Sequence, residues 1–152
     1  MKRLISRWTT EISLAKSVAE ITQMLTDAQA MAILTELAQG KPTAISFRIR
    51  TSWGVMSFRL PAETDAVHQI LSKRDRTGRH AIAPRYRTRE QAKRTAWRVV
   101  RDWLEAQLAL IECGLARLEQ VFLPYAQNDR GETVYERLKA EKFSGLLLTG
   151  GS

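Results

Sequence analysis

The chain is poor in the residues that staple or metallate small folds, with one cysteine (Cys113) and two histidines (His68, His80) among 152 residues. One cysteine excludes an internal disulfide framework, and two histidines beside it cannot complete a familiar structural zinc set. Long apolar runs are missing too. No stretch of 18 apolar residues occurs, and Met1-Lys2-Arg3-Leu4-Ile5-Ser6-Arg7 leads into polar residues where a signal peptide needs an apolar core. No glycine-rich loop of the phosphate-cradling kind is present, since Gly78 stands alone and Gly150-Gly151 lies at the end. These absences predict a reduced, soluble, cytoplasmic protein with no cofactor, no metal and no membrane partner. What is present is ordinary for a globular chain: 44% hydrophobic and 26% charged residues, in a length suited to one domain.

Acidic charge is scarce in one place. The chain carries 24 Lys plus Arg and 16 Asp plus Glu, a net charge of +8. Residues 73–101 hold eleven of the basic residues (Lys73, Arg74, Arg76, Arg79, Arg85, Arg87, Arg89, Lys93, Arg94, Arg98, Arg101) and only two acids, Asp75 and Glu90. That segment is +9, which leaves 13 basic and 14 acidic residues elsewhere, a net of −1. A near-neutral body with one concentrated positive band points to a polyanion partner, because cationic clusters bind phosphate chains by releasing counterions. Nine of the eleven are arginine, the residue suited to planar, bidentate phosphate contacts. Tyr86 between Arg85 and Arg87 adds a ring on which a base could stack, and Trp53 beside Arg50 is a second candidate of that kind.

Periodicity predicts an α+β fold: a small antiparallel β-sheet of three or four strands with one or two packed helices, followed by a helical half built on one long helix. Alternation of Trp8, Thr10, Ile12 and Leu14 predicts a short strand over 7–14. Ser17-Val18-Ala19-Glu20 has the capping-box form and predicts a helix start, running to about Gln29. Residues 31–38 are read as a strand before the turn at Gly40-Lys41-Pro42. Residues 43–50 and 55–60 form a hairpin about Ser52-Trp53-Gly54, with Ile45, Phe47 and Ile49 facing one side and Ser46, Arg48 and Arg50 the other. Glu63-Thr64-Asp65 opens a short helix carrying His68 at its surface. Thr88-Arg89-Glu90-Gln91 opens the longest helix, which stops at Gly114 and buries Trp97 and Trp103. A short helix over 115–123 and a last one over 133–138 follow. The expected organisation is a sheet region over 1–74, a flexible basic loop over 75–87, a helical region over 88–143 packed with the sheet as one unit, and a tail over 144–152.

No catalytic constellation emerges. Cys113 sits at a helix C-terminus beside Glu112, where dipole and carboxylate both disfavour a thiolate, so it reads as a buried core thiol. Neither histidine has a neighbour suggesting a triad or ligand pair. Asp102 with Glu105 and Glu132 with Glu136 lie at helical spacing and are explained by surface ion pairing.

The order helix, three strands, helix over 17–74 is similar to the double-stranded RNA-binding domain, but Glu63 and Asp65 stand where that family is basic. A closer resemblance rests on Ala44-Ile45-Ser46-Phe47-Arg48-Ile49, Phe58-Arg59-Leu60-Pro61-Ala62, Ala96-Trp97-Arg98, Trp103-Leu104-Glu105-Ala106-Gln107-Leu108-Ala109-Leu110-Ile111-Glu112 and Val121-Phe122-Leu123-Pro124-Tyr125 before Thr133-Val134-Tyr135-Glu136. Over roughly residues 9–143 the chain resembles a family of uncharacterised proteins of tailed phages, prophages and mobile elements. The resemblance implies a mobile-element setting in the cytoplasm of a bacterial host and carries no catalytic residues. The leading expectation is a non-enzymatic accessory protein that binds nucleic acid, DNA rather than RNA, through Arg74, Arg76, Arg79, Arg85, Tyr86, Arg87, Arg89, Lys93, Arg94, Arg98 and Arg101. Two alternatives stand beside it: an inhibitor of the anti-CRISPR or anti-restriction type that binds a host nuclease or defence ribonucleoprotein, and a homo-oligomeric structural component.

Overall fold

The computed structural model describes residues 8–150. The fold is α+β, with a four-stranded antiparallel sheet in the order β1-β2-β3-β4. Helix α1 (Leu14–Asp27) is followed by β1 (Ala32–Ala38), β2 (Lys41–Thr51) and β3 (Gly54–Arg59), then α2 (Thr64–Leu71) and the long α3 (Arg89–Glu112). Helix α4 (Leu118–Phe122) runs into a 3-10 turn over Leu123–Tyr125, which delivers β4 (Ala126–Gln127) to the free edge of β3, and α5 (Val134–Ala140) comes last.

Alternation sets the two faces of the sheet. Ile45, Phe47 and Ile49 on β2 and Phe58 on β3 point inward and meet Ile21 and Leu25 of α1, Trp97, Val100 and Leu104 of α3, and Phe122 of α4. Phe47 and Phe58 pack with centroids 5.4 Å apart, and Phe122 meets Phe47 edge-on at 5.6 Å and Trp103 edge-on at 5.7 Å. Arg48 and Arg50 face solvent, while Arg59 pairs with Glu36 at 2.8 Å. The turn before β2 closes at Gln39-Gly40, one residue earlier than expected, and a bulge between Glu36 and Leu37 absorbs Pro42 into the strand.

Four expectations are corrected. Residues 8–13 form no strand, and Arg7 lies outside the described residues. Instead the segment lies across the start of α3, where the Gln91 side-chain amide donates to the carbonyls of Trp8 at 3.0 Å and Thr10 at 3.1 Å. Its backbone is thus satisfied by a side chain rather than by a neighbouring strand. Secondly, α1 begins four residues before the apparent capping box, with Ser13 accepting from Lys16 N; Ser17 is buried inside the helix, and Glu20 reaches across to α3. Thirdly, Cys113 is exposed. It is the C-terminal cap of α3, and Gly114 at φ +74° turns the chain away there, so the thiol lies outside the core. Glu136, read as an ion-pairing residue, caps its own helix by accepting from Thr133 N at 3.1 Å.

Candidate nucleic-acid interface

Residues 73–87 carry most of the cations, and they are built on a local hydrogen-bonded frame. Arg74 and His80 form an antiparallel bridge that closes a tight turn. Asp75 Oδ1 fills the turn, accepting from Thr77 N at 2.8 Å, Thr77 Oγ1 at 2.7 Å and Arg79 N at 3.0 Å. Gly78, at φ +81°, supplies the left-handed residue the turn needs. The hydroxyl of Thr77, followed by the backbone donors of Arg79 and Thr77, holds the Asp75 carboxyl below its ordinary value. Past the turn, Ile82 is buried with Leu71 of α2 and Ala92 of α3, and Trp8, Val67 and Tyr86 pack around them. A 3-10 turn over Pro84–Tyr86 leads into α3. His68 is half-buried and its Nε2–H donates to the carbonyl of Arg87 at 3.1 Å, which ties α2 to this segment.

The eleven cations divide into three groups. Lys73, Arg74, Arg76, Arg79, Arg85, Arg87, Lys93 and Arg94 form no ion pair with the described residues. Some hold local polar contacts: Arg74 donates to the Gly78 carbonyl at 3.2 Å, and Arg94 donates to Gln91 Oε1 at 2.7 Å. Arg85 lies over the Tyr86 ring at 4.7 Å, and the Tyr86 hydroxyl donates to Glu11 at 3.2 Å, so this tyrosine fixes the position of a cation. Arg87 is half-buried, with its Nε without a hydrogen-bond partner. Arg89 alone makes up the second group, paired with Asp65 at 2.8 Å on an exposed surface where such a pair is weak.

Arg98 and Arg101 form the third group. Arg98 is only 9% exposed and binds Glu20 of α1, with Asp102 3.8 Å from its Nε. Arg101 binds Glu20 at 3.1 Å, Asp102 at 3.2 Å and Glu105. Two cations therefore meet three carboxylates, and this network cross-links α1 to α3. Burial alone would raise the Glu20 carboxyl, but the hydrogen bond and charge of Arg98, with Arg101 and Lys16, outweigh it and hold the group below its ordinary value. For Arg101, desolvation is outweighed by Glu105, Asp102 and Glu20, which push its affinity for the proton up.

The fold also adds a residue that the linear band does not contain. Lys41, the first residue of β2 after the turn, shares a groove of about 490 Å³ with Lys93 and Arg94, bounded by Ser13 and Leu14 at the start of α1 and lined also by Glu11 and Glu90. Only its place at a turn marked it in the sequence. Trp53 stands 81% exposed at the hairpin tip, its Nε1–H directed at Glu119 at 3.3 Å, away from the band's own residues. Among the described residues no cluster of three His, Cys, Asp or Glu could hold a metal ion, and no helix is long and apolar enough to cross a membrane.

No protein-family model, curated protein or solved structure matches the chain.

Proposed function

We propose that this is a non-catalytic nucleic-acid-binding accessory protein of a phage or other mobile element, acting in the cytoplasm of a bacterial host on DNA rather than RNA. The observation that carries the reading is the set of eight cations from Lys73 to Arg94 that form no ion pair with the described residues. Uncompensated positive charge repels itself and adds nothing to folding, so its concentration on one segment makes sense through an external polyanion. The turn at Asp75 and the cluster about Ile82 hold several of these side chains ready, which lowers the ordering cost of contacting phosphates. Contacts of this type read the backbone and give little sequence preference. Arg98 and Arg101 support the surface from within, through Glu20, Asp102 and Glu105.

The test is fluorescence anisotropy with labelled single-stranded DNA, duplex DNA and RNA. Affinity for DNA should fall by roughly a thousandfold between about 50 and about 200 mM salt, the loss expected for six or more phosphate contacts. Tighter binding to RNA would reassign the substrate. Failure to bind any of the three at about 50 mM salt would overturn the reading and direct attention to an acidic protein surface, as in a host nuclease or ribonucleoprotein.

A further inference from the structure

A second surface lies at the far end of α3 and has the opposite charge. Where the ends of α1 and α3 meet the start of α4, a groove of about 580 Å³ has Met24, Leu108 and Ile111 on its floor. Asp27, Glu105 and Glu112 also line it. Glu105 is shared with Arg101, whereas Asp27 and Glu112 meet no cation among the described residues. The floor residues are half-buried, so apolar surface is left open beneath an acidic rim.

The complement is carried by the same chain. After α5 the backbone turns through Lys142 and Phe143, both at positive φ (54° and 56°), and the Phe143 ring rests on Tyr135 at 5.9 Å. Beyond this anchor Leu146, Leu147 and Leu148 stand 62%, 70% and 90% exposed. Lys139 and Lys142, just before them, are exposed and form no ion pair with the described residues. An apolar strip preceded by two lysines matches an apolar floor rimmed by carboxylates in both chemistry and sign.

We propose that two copies of the chain associate reciprocally, each seating its Leu146-Leu147-Leu148 strip in the acid-rimmed groove of the other, with Lys139 and Lys142 against Asp27 and Glu112. Reciprocity follows from size. One short strip in one groove is a small contact, whereas two-fold exchange doubles the buried area and closes the assembly without an open end. The occupant is a second copy because both complementary halves are encoded in one chain.

Sedimentation equilibrium on the full chain, from micromolar to near-millimolar concentration, tests this. The native chain should dimerise reversibly, and Leu147→Asp should weaken the dimer roughly 100- to 10,000-fold, as expected for two buried leucines, one in each contact. Lys142→Glu and Glu112→Lys should each be monomeric alone, since each places like charges across both contacts. Mixed together they should form a one-to-one heterodimer, because one contact is native and the other is charge-swapped. All three positions are exposed, and unchanged thermal melts show that the variants fold. A monomer at every concentration, a dimer indifferent to Leu147→Asp, or no recovery on mixing would each overturn the proposal.

Discussion

Lys93 and Arg94 lie barely a turn before Arg98 and Arg101 on the same helix, yet the two pairs live in different electrostatic surroundings. The first pair borders a groove with Lys41 and forms no ion pair with the described residues, although Glu11 and Glu90 line the same groove. The second is enclosed by Glu20, Asp102 and Glu105. In sequence all four belong to one basic run. The difference teaches that a run of arginines is not a surface. Along the α1–α3 seam Glu20 joins Asp102 and Glu105 of α3 itself in taking up the charge of Arg98 and Arg101, whereas Lys93 and Arg94 form no ion pair with the described residues.

The largest effect is expected at Ile82, whose truncation to Ala should cost about 2–3 kcal/mol of stability by opening a cavity with Leu71 and Ala92. If pre-organisation matters, DNA affinity should fall too although no charge has been removed; urea denaturation and anisotropy on the same variant separate the two losses. Arg98→Ala should cost about 2 kcal/mol, because it strips Glu20 of its closest cation at the α1–α3 seam. The same variant should leave the salt dependence of DNA binding unchanged, which marks Arg98 as structural. A smaller, pH-dependent effect belongs to Glu20. Its folded carboxyl is held below the ordinary 4.5, so the unfolded chain takes up the proton first. The pairing therefore contributes fully above the unfolded value and is lost as pH falls through the lower folded one. Glu20→Gln should lower the urea midpoint at neutral pH and flatten its decline under acid conditions. The smallest effect is expected from Tyr86→Phe, which removes one exposed hydrogen bond to Glu11 and should cost under about 1 kcal/mol, while leaving Arg85 stacked on the ring.

Much of the architecture was legible because its signals are local. The strict alternation of Ile45, Phe47 and Ile49 sets the inner face of β2, and Thr88 and Gly114 bracket α3. The failures share a cause, which is a side chain arriving from elsewhere. Trp8, Thr10 and Ile12 alternate like a strand, but the partner that takes the carbonyls of Trp8 and Thr10 is the Gln91 amide, more than 80 positions away. Ser17 and Glu20 have capping-box spacing, but Glu20 is engaged by Arg98, 78 positions later. Strand β4, two residues long, lies beyond what periodicity can register and exists because α4 and its 3-10 turn bring it to β3. The candidate site follows the same pattern: the band and its arginine bias were readable, whereas its division into unpaired and consumed cations depends also on carboxylates brought in by the fold, Glu20 from α1 and Asp65 from α2, beside Asp102 and Glu105 of α3 itself. Lys41 joins it only through the turn between β1 and β2.

The most direct measurement is the salt dependence of DNA affinity for two variants beside the native chain: Arg76, Arg79 and Arg85 replaced together by Ala, and Arg101 replaced by Gln. The triple variant should keep its thermal stability and lose about 2 to 3 from the slope of log affinity against log salt, while Arg101→Gln should lose stability and keep the slope. The reverse pattern, with the slope unmoved by the three surface arginines and reduced by Arg101→Gln, would contradict the division of the band on which the account rests.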